Sequence, residues 1–211
     1  ASPIPSPCRS RRKLGRLRRP CPIQRPSRRC LSRAAHATKL PWAFRSIDES
    51  VLAGESPYDY TLRLAIAKAA AGCQVLAHSG QASHPLLAAD TTVATDTGHI
   101  LGKPADAAEA RTMLDALLGQ THSVFTAVAV QQGARCLTAV SHSRVTMVAL
   151  TPDQRDAYIA SGEPFDKAGA YGIQGIAGKF VSRIEGSYSA VVGLPLLETD
   201  LLIKHHLEQL K

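Results

Sequence analysis

Three charged side chains lie in sequence contexts where an unpaired charge would be costly. Asp90 ends the apolar run "LLAA", Lys68 lies on the apolar side of "RLAIAKAAAG", and Lys103 stands between a glycine and a proline in "LGKP". A carboxylate and two lysines that converge would hold a polyphosphate together with a divalent metal ion. An acid in this position can also activate a water molecule or simply cap a turn, so both roles stay open for Asp90. The chain has neither a Walker A sequence nor a GxGxxG sequence.

A second group of candidate residues lies in the glycine-rich stretch "EPFDKAGAYGIQGIAGKF", residues 163–180. Glycine and alanine let backbone N–H groups approach a ligand closely. Gln174 offers both a donor and an acceptor, which the edge of a nucleobase requires. The stretch therefore predicts a nucleotide-binding loop, and the alternative is a glycine-rich hairpin loop without a ligand.

Two predicted elements must position the charged residues. A helix is predicted from Pro57 to a stop at Gly72, and residues 86–93 predict a buried strand. Asp90 is expected at the carboxyl end of that strand, where ligands of α/β sheets bind. The apolar face of the helix is expected to consist of Leu62, Ala65, Ile66 and Ala69.

The rest of the chain alternates between helical and extended patterns. "DAAEARTMLDALLGQ" and "TPDQRDAYIASG" predict helices, the second N-capped by Thr151. "HSVFTAVAVQQGARCLTAVSHSRVTMVAL" predicts a hairpin, "KFVSRIEGSYSAVVGLPL" a strand pair around Glu185, and "PLLETDLLIKHHLEQL" a closing amphipathic helix. This alternation predicts an α/β fold with a mixed sheet.

The net charge of +8 is unevenly distributed along the 211 residues. Residues 1–46 carry 13 of the 25 Lys and Arg residues and none of the 17 acids, so the remainder has 12 basic and 17 acidic residues and a net charge of −5. The protein is therefore predicted to be an acidic domain with a basic extension. No apolar run approaches the roughly 20 residues that cross a bilayer. Cysteine spacing predicts no zinc site in the acidic part, and a reducing cytoplasm is expected.

The basic extension, residues 1–46, is rich in Arg, Pro, Ser and Cys and has no apolar period. Such a composition does not bury enough surface to order itself, so we expect a disordered or aberrant segment. Three origins stay open: a nucleic-acid-binding arm, an acid-poor transit peptide, or a GC-rich gene start translated in the wrong frame.

The motifs "RLAIAKA", "AADTTV", "LGKP", "DKAGAYGIQG" and "GSYSAVVGLPL" resemble, in order and spacing, those of the Maf-like nucleoside triphosphate pyrophosphatases, once described as septum-formation inhibitors. The resemblance covers residues 47–211, which we expect to form the pyrophosphatase domain. It implies an elongated, two-lobed α/β fold with a central cleft, related to the inosine triphosphate pyrophosphatases. It also implies cleavage of a nucleoside triphosphate to the monophosphate and pyrophosphate with a divalent cation, Mg²⁺ or Mn²⁺.

The same resemblance implies the roles of individual residues. Asp90 matches the proton acceptor, and with Glu49 it would hold the metal ion. Lys68 and Lys103 match active-site lysines. Thr91 and Gln174 match the branch of the family that prefers dTTP and UTP.

The phosphate-binding Ser-x-Arg-Arg loop of the family has a partial counterpart here. "PSRRC" supplies Arg28 and Arg29 at about the family distance from Asp48, yet no apolar strand precedes it. A frame error near residue 45 would leave this pattern. If the loop is lost, the alternatives are a non-catalytic nucleotide binder that affects cell division, or a nucleic-acid binder acting through the basic arm. With the loop intact, we expect a nucleoside triphosphate as partner, neither membrane nor nucleic acid, and we leave a homodimer open.

Overall fold

The computed structural model describes residues 47–80 and 84–209. These residues belong to one compact unit, Leu40–Lys211. The predictions for the basic extension, including Arg28 and Arg29, lie outside the described residues. No helix in the part that is described has the length and apolar character needed to cross a membrane.

The described residues form five strands and five α-helices, which confirms the predicted α/β class. Its strands are β1 Leu86–Ala94, β2 Ile100–Leu101, β3 Thr121–Gln132, β4 Arg135–Met147 and β5 Val181–Glu185. Its helices are α1 Pro57–His78, α2 Ala107–Leu117, α3 Pro152–Ala160, α4 Tyr188–Val192 and α5 Leu196–Glu208. Short 3-10 helices span Glu163–Asp166, Ala168–Ala170 and Ile176–Phe180.

The described strands form one sheet in the order β2-β1-β3-β4-β5, and each neighbouring pair is antiparallel. The predicted hairpin is confirmed as β3 and β4, joined at Gly133 with φ 58°. This long hairpin is the centre of the sheet, and β1 pairs with β3 along its whole length from Leu86 to Ala94.

Helix α1 continues beyond Gly72 to His78, so the predicted stop at Gly72 is wrong. Gly72 instead lets the helix approach the sheet, because a Cβ atom there would lie 2.4 Å from Leu86 Cδ1. Alanines of α1 pack against alanines of β1 and β3 in the same small-residue layer: Ala65, Ala69, Ala88, Ala127 and Ala129. Leu64 is buried and Ile66 is exposed, so the buried face is rotated from the predicted one.

The larger core lies at the other end of β1. Four residues at helical spacing in "DAAEARTMLDALLGQ" form the buried face of α2: Ala110, Met113, Leu114 and Leu117. They pack with Val93 and Val124 of the sheet and with Tyr171. The predicted N-cap of α3 at Thr151 is confirmed, and the structure adds a capping box in which Thr151 and Gln154 exchange hydrogen bonds.

The predicted strand pair around Glu185 is wrong in its second half, because α4 follows β5. Ser187 N-caps α4 by accepting from the Ala190 N–H, and Gly186 turns the chain with φ 118°. This capping bond favours a helical turn over the extended backbone that the Val191-Val192 pair predicts. The closing helix is confirmed as α5, although its buried face carries Thr199 and His206 while Leu196, Leu197 and Leu201 are exposed.

We expect Gly169→Ala to destabilise the protein more than Gly98→Ala. Both glycines have positive φ, but a Cβ at Gly169 would lie 2.9 Å from Val93 Cγ1, whereas Gly98 has open space around it. The left-handed backbone costs about 1 kcal/mol at each position, and overpacking in the core adds about 1–3 kcal/mol at Gly169. Urea denaturation measures the difference, and equal midpoints for the two variants would contradict the packing described here.

Candidate functional site

Asp90 lies in the middle of β1 and not at its end, which corrects the predicted position. It pairs with Ala127 of β3, and β1 runs on through two threonines and Val93 to Ala94. β-Branched side chains favour extended backbone, so the polar Thr91-Thr92 pair continues the strand where an end was expected. A carboxylate in mid-strand is directed by the pleat of the sheet, and its neighbours on that face decide what it does.

Lys68, Asp90 and Glu49 form one charged cluster on the α1 side of β1. The Lys68 Nζ atom lies 2.5 Å from Asp90 Oδ1 and 2.9 Å from Glu49 Oε1. The side chains of Lys68 and Asp90 are 17% and 9% exposed, whereas that of Glu49 is 53% exposed. The Lys68 ammonium group thus pairs with an inner, nearly buried carboxylate, that of Asp90, and with an outer, exposed one, that of Glu49.

The charge of Lys68 is stabilised by this arrangement. Burial opposes the ammonium form, but the hydrogen bond and charge of Asp90, followed by those of Glu49, raise the Lys68 pKa above its ordinary value. Lys68 is therefore protonated at neutral pH and cannot act as a general base there. Its chemistry is that of a fixed positive charge and hydrogen-bond donor.

The segment that carries Glu49 is held on α1 by two residues that the sequence analysis did not select. Arg63 forms an ion pair with Glu55, with its Nε atom 2.6 Å from Oε1, and donates to the carbonyl oxygens of Asp48 and Ser50. The Tyr60 hydroxyl donates to the Glu49 carbonyl at 2.8 Å. The sequence feature that could have identified them is a tyrosine followed three positions later by an arginine, in the first turns of a helix that follows an acidic segment.

Thr91, Lys103 and Gln174 line a cavity of about 270 Å³. Its wall also includes Val93, Tyr171 and glycines of the 163–180 stretch and of the turn after α4. Lys103 reaches the cavity because β2 pairs with Val93-Ala94 at its side, and the Gly102 carbonyl accepts from the Gly169 N–H at 2.9 Å. The structure thus brings the remaining predicted residues with described positions into one concave site of the kind that small ligands occupy.

Tyr171, which lines the cavity, forms a buried pair with His122. The His122 Nε2 atom and the Tyr171 hydroxyl are 2.8 Å apart, and the two rings meet edge to face. Burial lowers the His122 pKa to about 4 and raises the Tyr171 pKa well above its usual value. Both side chains are therefore neutral at pH 7, and the pair fixes the Tyr171 ring without placing a charge in the cavity.

The charged cluster and the cavity lie on opposite faces of β1. Asp90 and Thr91 are neighbours in the strand, so their side chains point to opposite sides of the sheet. Asp90 faces α1 and Lys68, whereas Thr91 contacts Thr126, with 3.1 Å between their hydroxyl oxygens, on the α4 side. Lys103 makes no ion pair with Asp90 or Glu49 within residues 47–80 and 84–209 and instead lines the cavity, so the convergence of both lysines and Asp90 on one ligand stays a prediction.

The two faces are connected at one edge of β1. Among the described strands, β1 pairs with β3 on one side, and on the other side β2 covers only Val93 and Ala94. The edge from Leu86 to Thr92 has no partner in the described part of the sheet. A ligand that extends over this edge could contact Lys68 on one face and Gln174 on the other.

The charged cluster has a donor set that suits a hard divalent cation bound together with a substrate. No group of three or more His, Cys, Asp and Glu residues that could enclose a metal ion occurs among the described residues. Asp90 and Glu49 do converge on one cation, the Lys68 ammonium. Mg²⁺ is commonly held by one or two carboxylates plus substrate phosphates, and this pair fits that pattern.

Comparison with known proteins places these features in a family. A profile described as Maf-like protein matches residues 25–206, a range that includes Arg28 and Arg29. A Chromobacterium violaceum protein named dTTP/UTP pyrophosphatase is 55% identical over 157 residues, which cover 74% of this chain and 79% of the relative.

Two further relatives carry the same name. The Shewanella denitrificans protein is 49% identical over 163 residues, covering 77% of this chain and 81% of its own length. The Bordetella avium protein is 52% identical over 157 residues, covering 74% and 78%. With a family profile spanning most of the chain and relatives at this identity, the chain belongs to the Maf-like protein family.

Proposed function

We propose that this protein hydrolyses nucleoside triphosphates, with dTTP and UTP preferred, to the monophosphate and pyrophosphate. The observation that carries the proposal is the Glu49–Lys68–Asp90 cluster on one face of β1 with the cavity of Thr91, Lys103 and Gln174 on the other. The names of the relatives, dTTP/UTP pyrophosphatase, support the same activity. Such an enzyme would remove unwanted nucleotides from the cytoplasmic pool.

In the proposed reaction, Asp90 accepts a proton from the water that attacks the α-phosphorus. A bond forms between the water oxygen and the α-phosphorus, and the bond from that phosphorus to the oxygen bridging to the β-phosphorus breaks. Pyrophosphate leaves with the bonding electron pair, and the proton passes from Asp90 to solvent. Asp90 is suited to this role because the hydrogen bond from Lys68 fixes one carboxylate oxygen and leaves the other to accept from the water.

The two lysines have separate tasks in this scheme. Lys68, protonated at neutral pH, stabilises negative charge that develops on the phosphate oxygens. Lys103 reaches the phosphate chain from the cavity side. We propose the same task for Arg28 and Arg29, which lie outside the described residues.

We propose that Asp90 and Glu49 hold the divalent cation, Mg²⁺ or Mn²⁺, that accompanies the triphosphate. When bound, such a cation would offset the charge of the phosphate oxygens. Lys68 contributes to the site by directing both carboxylates toward one point.

Gln174 and Thr91 are proposed to select the base. The Gln174 amide can donate to a pyrimidine carbonyl and accept from its N3–H, whereas a purine presents a different pattern. Thr91 narrows the cavity and is held by a hydrogen-bonded chain through Thr126 to the Ala190 carbonyl. A base with a different edge would lose its pairing with the Gln174 amide, which is the basis of the discrimination.

The test of the function is pyrophosphate release by the full chain from dTTP, UTP, CTP, ATP and GTP with and without Mg²⁺ or Mn²⁺. We expect metal-dependent release and the highest kcat/KM on dTTP and UTP. Absence of pyrophosphate release from all five would contradict the function, and a purine preference would contradict the base assignment alone.

We expect Asp90→Asn to lower turnover on dTTP by at least about 10²–10⁴-fold, the usual effect of losing a general base. The unfolding midpoint should fall modestly, because Asn keeps the size of the side chain but leaves the Lys68 ammonium with the more exposed Glu49 as its carboxylate partner. The matched control is Asp96→Asn, at an exposed aspartate paired with Arg144. Turnover of Asp90→Asn within threefold of the Asp96→Asn control would rule out the assigned role.

We expect Lys103→Ala to lower kcat/KM on dTTP by roughly ten- to a hundredfold, since a hydrogen bond to a charged group is lost. The matched control is Lys179→Ala, because Lys179 lies over the Phe180 ring and does not line the cavity. Steady-state kinetics of both variants measure the effect. Equal kcat/KM values would show that Lys103 is only a turn residue.

We expect Gln174→Ala to lower kcat/KM on UTP by at least about tenfold more than on ATP, because only the pyrimidine loses its paired partner. Each protein serves as its own control, since the ratio of the two substrates is independent of the active fraction of the preparation. An unchanged UTP-to-ATP ratio would exclude Gln174 from base selection.

A further inference from the structure

The turn that carries Gln174 is tied to a single carboxylate elsewhere in the chain. Gln174 lies between Gly172 and Gly175, whose N–H and carbonyl groups close the turn with a 3.0 Å hydrogen bond. Directly after it, the Ile176 N–H donates to Glu163 Oε2 at 2.7 Å and the Ala177 N–H donates to Oε1 at 3.2 Å. Both oxygens of Glu163 are therefore used to hold the backbone that follows Gln174.

The turn lies so close to this carboxylate that only glycine fits beside it. A Cβ atom at Gly175 would lie 2.4 Å from Glu163 Oε2, well inside contact distance. A Cβ atom at Gly178 would lie 2.5 Å from the Ile173 carbonyl oxygen, so the turn is also closed on its other side. The glycines that suggested a ligand loop in the sequence thus serve, at these positions, to let the backbone close around Glu163.

Glu163 is in turn attached to the rigid part of the fold. It begins the 3-10 helix Glu163–Asp166, just after α3, and its Oε1 accepts from the Tyr158 hydroxyl at 3.0 Å. Tyr158 is buried and packs edge to face on Phe180, with 5.4 Å between the ring centres. The Glu163 carboxylate therefore links a core tyrosine to the glycine-rich turn by three hydrogen bonds.

The carboxylate is ionised in this setting. Burial opposes its charge, but the Ile176 and Ala177 N–H groups, the Tyr158 hydroxyl and the charge of Lys167 together keep the Glu163 pKa below its ordinary value. Its hydrogen bonds are thus charge-assisted, and these are stronger than bonds between neutral groups. A neutral amide would hold the turn less firmly.

We propose that Glu163 is a positioning residue for base selection. It holds the turn that carries Gln174 in the position from which the Gln174 amide can pair with a pyrimidine. Glu163 does not line the cavity itself, so it acts through Gln174. The inference rests on the proposed function and adds to it the residue that fixes the specificity element.

The experiment compares kcat/KM on UTP and ATP for the unmodified chain, Glu163→Gln, Gln174→Ala and the double variant. An amide at position 163 can accept one backbone N–H but directs its own N–H₂ toward the other, so one of the two anchors is lost. We expect Glu163→Gln to lower the UTP-to-ATP ratio about tenfold, mainly through KM on UTP. We expect the double variant to have the same ratio as Gln174→Ala, because both changes remove one interaction.

The control for general loss of stability is Thr151→Ala, which removes the capping box of α3 without contacting Glu163 or the turn. It should lower the unfolding midpoint and leave the UTP-to-ATP ratio unchanged. A ratio for Glu163→Gln equal to that of the unmodified chain would overturn the inference, as would additive losses in the double variant. An unmodified chain that releases no pyrophosphate from either substrate would instead refute the proposed function, and the inference with it.

Discussion

The described fold depends on one close approach, that of α1 to β1. The Lys68 ammonium reaches Asp90 only because the helix lies near the strand, and the helix lies near because its contact surface is made of Ala65, Ala69 and Gly72. A larger side chain at any of these positions would push the helix outward. The charge of Lys68 would then lack its inner partner, and a partly buried ammonium without a carboxylate is strongly disfavoured. The pairing of Lys68 with Asp90 therefore depends on the small side chains between α1 and β1.

The pleat of β1 divides the proposed chemistry between two faces of one sheet. Asp90 and Thr91 are adjacent in the chain, and their side chains point to opposite faces of the sheet because side chains alternate along a strand. The proposed proton acceptor is thereby on the α1 face, whereas the proposed base-selecting residues lie with Lys103 on the cavity side. A nucleoside triphosphate is long enough to extend over the strand edge, whereas a smaller phosphate ester would meet only one of the two groups. This division offers a physical reason for a preference for triphosphates.

Two charged side chains that have no proposed role in the reaction hold the segments that present Glu49 and Gln174. Arg63 fixes the 47–55 segment that presents Glu49, and Glu163 fixes the turn that presents Gln174. In both cases an ionised side chain bonds backbone groups of an irregular segment and connects them to a helix or a buried ring. Irregular backbone has few regular partners of its own, so such bonds replace those that a helix or strand would supply.

The sequence by itself determined the α/β class, the presence of α1 and α2, the N-cap at Thr151 and the β3–β4 hairpin, because the patterns that indicate them lie within short stretches of the chain. It also marked Lys68, Asp90 and Gln174 as unusual, because charge and amide groups among apolar or glycine residues need a partner. Only the tertiary structure decided which partner each one has. It placed Asp90 in mid-strand, carried α1 past Gly72, turned the Val191-Val192 segment into α4, and brought Lys103 to the cavity wall with Gln174. These outcomes depend on contacts between residues distant in the chain, such as Gly72 with Leu86 and Glu163 with Ile176, which no local pattern contains.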